Sequence, residues 1–233
     1  MIYAKDLDGK KITASPNGKA TCPYCNSELI AKCGHINIHH WAHKVKVNEC
    51  PFKQESAWHL KWKSLFPKER CEVRIEKNGK VKIADGVLPN GKVVEFQNSP
   101  ISWDEIKERE AFYDNMCWVF NCREPYKEER FYFLERKKGF WYYQSKVHPE
   151  INHNEHQKYF CFKWKHARKS IMACEKPVYL DLGEDILRLI YLEPRKYHSG
   201  VGVLRPKEDL HNYILGKRIE KTKFQNYSVV HHR

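Results

Sequence analysis

The chain has 233 residues, and its 41% hydrophobic content with seven tryptophans supplies enough apolar material for a packed core, which excludes disorder throughout. No apolar run approaches the roughly 18–20 residues that span a bilayer, and Met1-Ile2-Tyr3-Ala4-Lys5-Asp6 lacks the apolar block of a signal peptide, so a cytoplasmic location with no membrane partner is expected. Formal net charge is +13, which makes a polyanion the first partner to consider.

The charge is unevenly spread. Residues 1–53 carry 8 basic and 4 acidic side chains, residues 54–122 carry 11 of each, and residues 123–233 carry 23 against 14. A neutral middle between basic flanks suits a catalytic core with acidic ligands, held on nucleic acid by its ends; a soluble basic protein without such a partner has the same totals.

In chain order, residues 1–21 read as a polar hairpin-like lead, with Asp8-Gly9 and Asn17-Gly18 as turns. Residues 22–50 are dense in Cys and His. A helix is predicted from about Gln54 to Phe66, ended by Pro67, with Trp58, Trp62 and Leu65 on its buried side. Three strands follow, Cys71 to Glu76, Lys80 to Asp85 and Lys92 to Gln97, the first two joined by the two-residue turn Asn78-Gly79. Ser102-Trp103-Asp104-Glu105 is a capping box that opens a helix to about Asn115. Met116 to Asn121 is a continuous apolar run that fits a strand buried on both faces. A strand, a crossover helix and another strand make a parallel pair, so the core is α/β with a mixed sheet. Beyond Arg123, strand pieces are predicted around Phe131–Leu134, Phe140–Tyr143, Val178–Leu182 and Ile186–Leu192, as a small α+β or β-rich addition. The expected domains are residues 1–53, 54–125 and 126–233.

Metal-assisted phosphodiester cleavage needs carboxylates that converge on a divalent ion. Glu95 and Gln97 are two apart on a strand and share a face, Asp85 ends the preceding strand, and Gly86 leaves room beside it. Glu55, His59 and Lys63 recur at four-residue spacing on the preceding helix, where Glu55 adds a further ligand, and His59 and Lys63 contact phosphate or orient water. Each word alone is commoner as a turn or a solvated strand face; their order and spacing carry the reading.

Cys22 and Cys25 form a tight knuckle, and His40 and His43 follow at close spacing. Two thiolates and two imidazoles suit tetrahedral Zn(II), and the short His spacing points to a structural ribbon or knuckle rather than a DNA-reading finger. Cys33, His35, His39 and Cys50 are further candidates. Nine cysteines without a secretion signal argue against a disulfide framework. Late in the chain, Lys163, Lys165, Arg168 and Lys169 interleave with Phe162 and Trp164, a pattern in which cations neutralise phosphates and rings stack on bases; the alternative is a strand edge with a basic face.

Taken together, Cys22-Pro-Tyr-Cys25, His40-Trp-Ala-His43, Glu55-Ser56 with His59 and Lys63, Ala84-Asp85, Glu95-Phe-Gln-Asn-Ser99, and Arg109 with Tyr113 resemble the CoiA-like competence proteins of the PD-(D/E)XK nuclease superfamily. Phe162-Lys-Trp-Lys-His-Ala-Arg-Lys169 and Val178-Tyr-Leu-Asp-Leu-Gly183 extend the likeness into the C-terminal part. The resemblance implies a nuclease core after a small zinc module, with Mg(II) or Mn(II) held by Asp85 and Glu95 and Gln97 at the superfamily's lysine position. Gln can hydrogen-bond water or a phosphate oxygen but supplies no positive charge, so the metal works alone or Lys63 helps. Arg109 and Tyr113, one turn apart, reach the scissile strand, brace Glu95, or simply pack on each other. The expectation is a divalent-metal-dependent DNA nuclease with little sequence specificity, working in DNA uptake, recombination or defence against foreign DNA, with a protein partner or a second copy of itself admitted. The rivals are a nuclease-fold DNA-binding accessory protein that cleaves nothing, and an enzyme that prefers RNA.

Overall fold

A computed structural model describes residues 1–36, 38–48, 50, 52, 55–134, 159–193 and 199–217. The chain is α/β: among the described residues it has a five-stranded sheet and, apart from it, a nine-stranded mixed sheet. It divides into two compact units, Met1–Val87 and Leu88–Arg233.

The first unit opens with β1 (Tyr3–Lys5), β2 (Lys11–Thr13), β3 (Lys19–Thr21), β4 (Glu28–Lys32) and β5 (His40–His43). They pair antiparallel in the order β2-β1-β3-β4-β5. Strands this short cannot build a large core, and the sheet closes over Ala4, Ala20, Leu29, Trp41, Cys22 and Cys50. Helix α1 (Ala57–Lys63) follows, shorter than the predicted span, of which Gln54 lies outside the described residues. Its N-cap is Ser56, whose hydroxyl accepts from the His59 amide at 3.3 Å. Trp58 and Trp62 are buried edge to face, ring centroids 6.5 Å apart. Strands β6 (Cys71–Lys77) and β7 (Lys80–Val87) form the hairpin that Asn78-Gly79 announced, both turn residues at positive φ.

In the second unit, β8 (Val93–Gln97) runs parallel to β9 (Met116–Asn121), joined by α2 (Trp103–Tyr113). The capping box is present: Ser102 Oγ accepts from the Glu105 amide at 3.1 Å. Helix α3 (Arg123–Lys127), β10 (Phe131–Phe133), β11 (Tyr159–Trp164), β12 (Val178–Asp181), β13 (Asp185–Leu192), β14 (Ser199–Pro206) and α4 (Lys207–Ile214) complete it. The late strands are not a separate addition. β12 pairs parallel with β9, and the order runs β10-β11-β14-β13-β12-β9-β8. The reason is compositional: Val178-Tyr-Leu-Asp181 is buried at every position, as a strand inside a covered sheet must be. The strand expected around Phe140–Tyr143 lies outside the described residues.

Candidate metal centres

Among the described residues two groups of ligand-type side chains come together, both in the first unit: Cys22, Cys25, His43 and Cys50, and separately Glu55, His59 and Asp85.

The knuckle of the first group is a tight turn in which the Asn26 amide donates to the Cys22 carbonyl at 3.0 Å and the Cys22 amide to the Ser27 carbonyl at 2.9 Å. Asn26 takes the positive φ of 57° that the turn needs. Two sulfurs on one tetrahedral zinc, each about 2.3 Å from it, lie about 3.8 Å apart; Cys22 Sγ and Cys50 Sγ are 3.7 Å apart, and Cys25 Sγ is 3.3 Å from His43 Nε2. Three cysteines and a histidine could therefore hold zinc as a structural metal. Burial pushes the Cys50 thiol up to about 12 and raises that of Cys22. Burial acts the same way on Cys25, but hydrogen bonding with Ser27 and His43 brings its thiol down to about 6, the start of a thiolate.

The expected ligand His40 is not in this group, and Cys50 takes its place. Both histidines lie on β5, and residues three apart on a strand face opposite sides. His43 shares the face of Trp41, which is in the core. His40 points the other way, with Nδ1 2.9 Å from the Ile38 carbonyl oxygen.

The second group sits where α1 meets the β6–β7 hairpin. His59 Nε2 is 2.8 Å from Asp85 Oδ2. Lys63 lies one turn beyond His59 on the same helix face, and is 1% exposed. Its ammonium is 2.6 Å from Glu55 Oε1, 2.5 Å from Glu72 Oε1 and 3.8 Å from Asp85 Oδ1. Burial alone would drive these groups neutral. Instead Lys63 holds the Glu55 carboxyl well below its ordinary range, and His59 and Lys63 lower that of Asp85. The carboxylates in turn raise His59 and Lys63 against the same desolvation. Gly86 beside Asp85 serves a different purpose from the one expected: a Cβ there would come within 2.4 Å of the Phe66 ring.

Glu72 was not a candidate, because Glu72, Arg74 and Glu76 alternate with apolar residues like any solvated strand face. The two-residue turn held the clue. It fixes the Lys77/Lys80 pair, and counting back along the ladder puts Glu72 opposite Asp85, between the pairs Val73/Ala84 and Cys71/Gly86.

The remaining expected site residues belong to the second unit. Glu95 on β8 is buried, and Arg109 Nη1 donates to its Oε2 while Arg109 Nη2 donates to Glu105 Oε1 at 3.0 Å. Of the roles open to Arg109, the structure has it bracing Glu95. Tyr113 is buried, so it offers no surface to a nucleic acid. Gln97 is half-buried and its amide donates to the Ser99 carbonyl at 2.6 Å. In the late basic stretch Lys163, Lys165 and Lys169 are exposed, but Trp164 is 1% exposed and its ring is not available to stack on a base. The parity of β11 accounts for it: Phe160, Phe162 and Trp164 share the face that packs inward. Arg168 is drawn onto carbonyl oxygens, Asn98 at 2.7 Å and Asn121 at 3.3 Å, and ties the ends of β8 and β9 together.

Residues 5–53 match the family model described as Competence protein CoiA, N-terminal domain. The N-terminal segment is thus similar to a CoiA N-terminal domain. The matched segment contains the knuckle, His43 and Cys50, so the CoiA-like part carries the whole Cys3His group. Comparisons with curated proteins and with solved structures give no match. No helix among the described residues is long and apolar enough to cross a membrane.

Proposed function

We propose that this CoiA-like chain is a divalent-metal-dependent nuclease that hydrolyses phosphodiester bonds of DNA in a competence-related role. The observation that carries the reading is the half-buried meeting of Glu55, His59 and Asp85, whose ligand atoms all lie within 4.8 Å of one another. Two ligands at right angles on an octahedral ion, each about 2.1 Å from it, are about 3.0 Å apart. The 2.8 Å between His59 and Asp85 fits such an edge. Glu55, Asp85 and the neutral His59 would hold Mg(II) or Mn(II), and the bound ion lowers the pKa of a water and stabilises charge on the phosphate. The chain's own work is to keep the carboxylates ionised in a buried place. Lys63 does so as a fixed positive charge, and thereby brings to the centre the cation that Gln97 cannot supply.

Lys163, Lys165 and Lys169, exposed on and after β11, are proposed to hold the DNA backbone without reading its sequence. Such binding weakens steeply with added salt. The zinc of the Cys3His group is structural in this reading.

The test is to incubate the protein with supercoiled, linear and single-stranded DNA, and with RNA, in EDTA, Mg(II) or Mn(II). Metal-dependent cleavage of DNA that disappears in Asp85→Ala supports the enzyme; preference for RNA redirects the substrate. Binding of DNA without cleavage on any substrate favours the accessory reading, for which the neutral Gln97, spent on a local carbonyl, is the specific support. Glu95→Gln in the same assay is expected to slow cleavage at least about tenfold. An unchanged rate would remove Glu95 from the catalytic residues.

A further inference from the structure

The Glu72 carboxylate is clamped by three donors. Its Oε1 accepts from the Ile2 amide at 2.8 Å and lies 2.5 Å from Lys63 Nζ, while Oε2 accepts from the Tyr3 amide at 2.8 Å. Glu72 is buried and holds φ at 47°, in the left-handed region that a non-glycine residue inside a strand rarely enters. The pairs on either side of it in the β6–β7 ladder are Cys71/Gly86 and Val73/Ala84. A strained backbone that persists where a carboxylate meets a buried ammonium is an outlier with a cause to find.

The charges at the site supply one. Glu55, Glu72 and Asp85 are three carboxylates around one lysine; the Met1 ammonium also meets Glu55 Oε2 at 3.1 Å, and His59 Nε2 lies 2.8 Å from Asp85 Oδ2. Glu55 and Glu72 are in contact with Lys63 Nζ, whereas Asp85 is at 3.8 Å. Both Glu72 oxygens are committed to backbone amides and the ammonium, and Glu72 is not among the residues that gather as candidate metal ligands. Its charge is therefore spent on Lys63.

We infer that Glu72 is a positioning residue: it anchors the Lys63 ammonium and, with Glu55, neutralises it, and so leaves the charge of Asp85 for a divalent cation. This rests on the metal reading of Glu55, His59 and Asp85. Without the Glu72 charge, Lys63 turns to Asp85 and competes with the ion. At such separations inside a protein the Coulombic coupling of two unit charges is large enough to change a binding constant by about tenfold. The Tyr3 amide at the start of β1 and the Ile2 amide just before it tie the anchor to the first sheet, so the position of Lys63 is set by backbone rather than by a mobile side chain.

The test measures Mn(II) binding to the full, zinc-loaded chain by electron paramagnetic resonance of the free ion, with Asp85→Ala as the background. Four proteins are compared: wild type, Asp85→Ala, Glu72→Gln, and Glu72→Gln combined with Lys63→Met. Glutamine keeps an acceptor for the amides and removes the charge. The single variant is expected to bind Mn(II) about tenfold more weakly. The double variant removes the uncompensated cation as well; the bound ion then keeps Asp85 ionised in place of Lys63, and affinity is expected to return to wild type or above. A single variant equal to wild type, or a double variant as weak as the single, overturns the inference, because Glu72 then acts through its amide contacts or not at all. Near-ultraviolet circular dichroism reports folding. If the single variant does not fold, the double variant decides by the same criterion, and if neither folds Glu72 is a structural clamp and the inference fails. Wild type that binds no more Mn(II) than Asp85→Ala overturns the metal centre itself, and this inference with it.

Discussion

Two buried ionic clusters, one in each unit, show how differently a carboxylate can be used. In the second unit Asp181 is 0% exposed and is met by Arg123 Nε at 3.1 Å, Lys207 Nζ at 3.0 Å and the Gly183 amide at 2.9 Å. One anion faces two cations and a backbone donor, so the cluster has no negative charge left over. In the first unit three carboxylates face Lys63, the Met1 ammonium, which lies 3.1 Å from Glu55 Oε2, and a histidine that can give up its proton. The first arrangement is a closed tie between the ends of α3, β12 and α4; the second has charge to offer a cation. Burial alone does not separate a structural ion pair from a ligand site. The balance of charge within the cluster does.

Substitutions break that comparison most directly. Asp85→Ala should reduce metal-dependent cleavage by roughly three orders of magnitude while the protein stays folded, which a nuclease assay beside a melting curve would check. A variant that cuts at the normal rate would remove Asp85 from the centre. The metal of the Cys3His group comes next. Purified protein is expected to carry zinc, and Cys50→Ser to lose it together with several kcal/mol of stability, whereas His40→Ala keeps both. Metal analysis that shows the reverse pattern would restore His40 as the ligand. Asp181→Asn leaves two cations facing a neutral amide, and is expected to cost about 3 kcal/mol without changing Mn(II) binding. A fall in Mn(II) affinity there would blur the contrast between the two clusters. The smallest effect is Ser102→Ala at the start of α2, about 1 kcal/mol by chemical denaturation, with cleavage unchanged.

Much of the fold was legible where local chemistry decides the outcome. Asn78-Gly79 made the β6–β7 hairpin, Ser102 with Glu105 started α2, and the unbroken apolar run of β9 marked a strand covered on both sides. His59 and Lys63 come together with Asp85 through helix spacing and the hairpin, whereas Glu55, expected on the helix, joins them from just before its N-cap Ser56. What was missed depended on the face a residue presents. His40 and His43 look like a pair until they are placed on a strand, whose alternation sends them apart and lets Cys50 in. Trp164 reads as a stacking ring until the inward set of Phe160 and Phe162 claims it. Tyr113 is claimed by the core in the same way. The joining of β12 to β9 is a contact between residues some sixty positions apart, and nothing in local pattern encodes it.

The contact of Phe66 with Gly86 has a consequence for any ion at the first unit's centre. Phe66, just past the end of α1, rests directly on the backbone of β7, one residue beyond Asp85. The separation between the helix that carries His59 and the strand that carries Asp85 is thus fixed by a ring against a main chain, which has no rotamers to relax. In the proposed reading an ion there would meet one wall so fixed: Mg(II) or Mn(II) would suit the His59–Asp85 edge, and the larger Ca(II), at about 2.3–2.6 Å from its ligands, would ask for a wider opening.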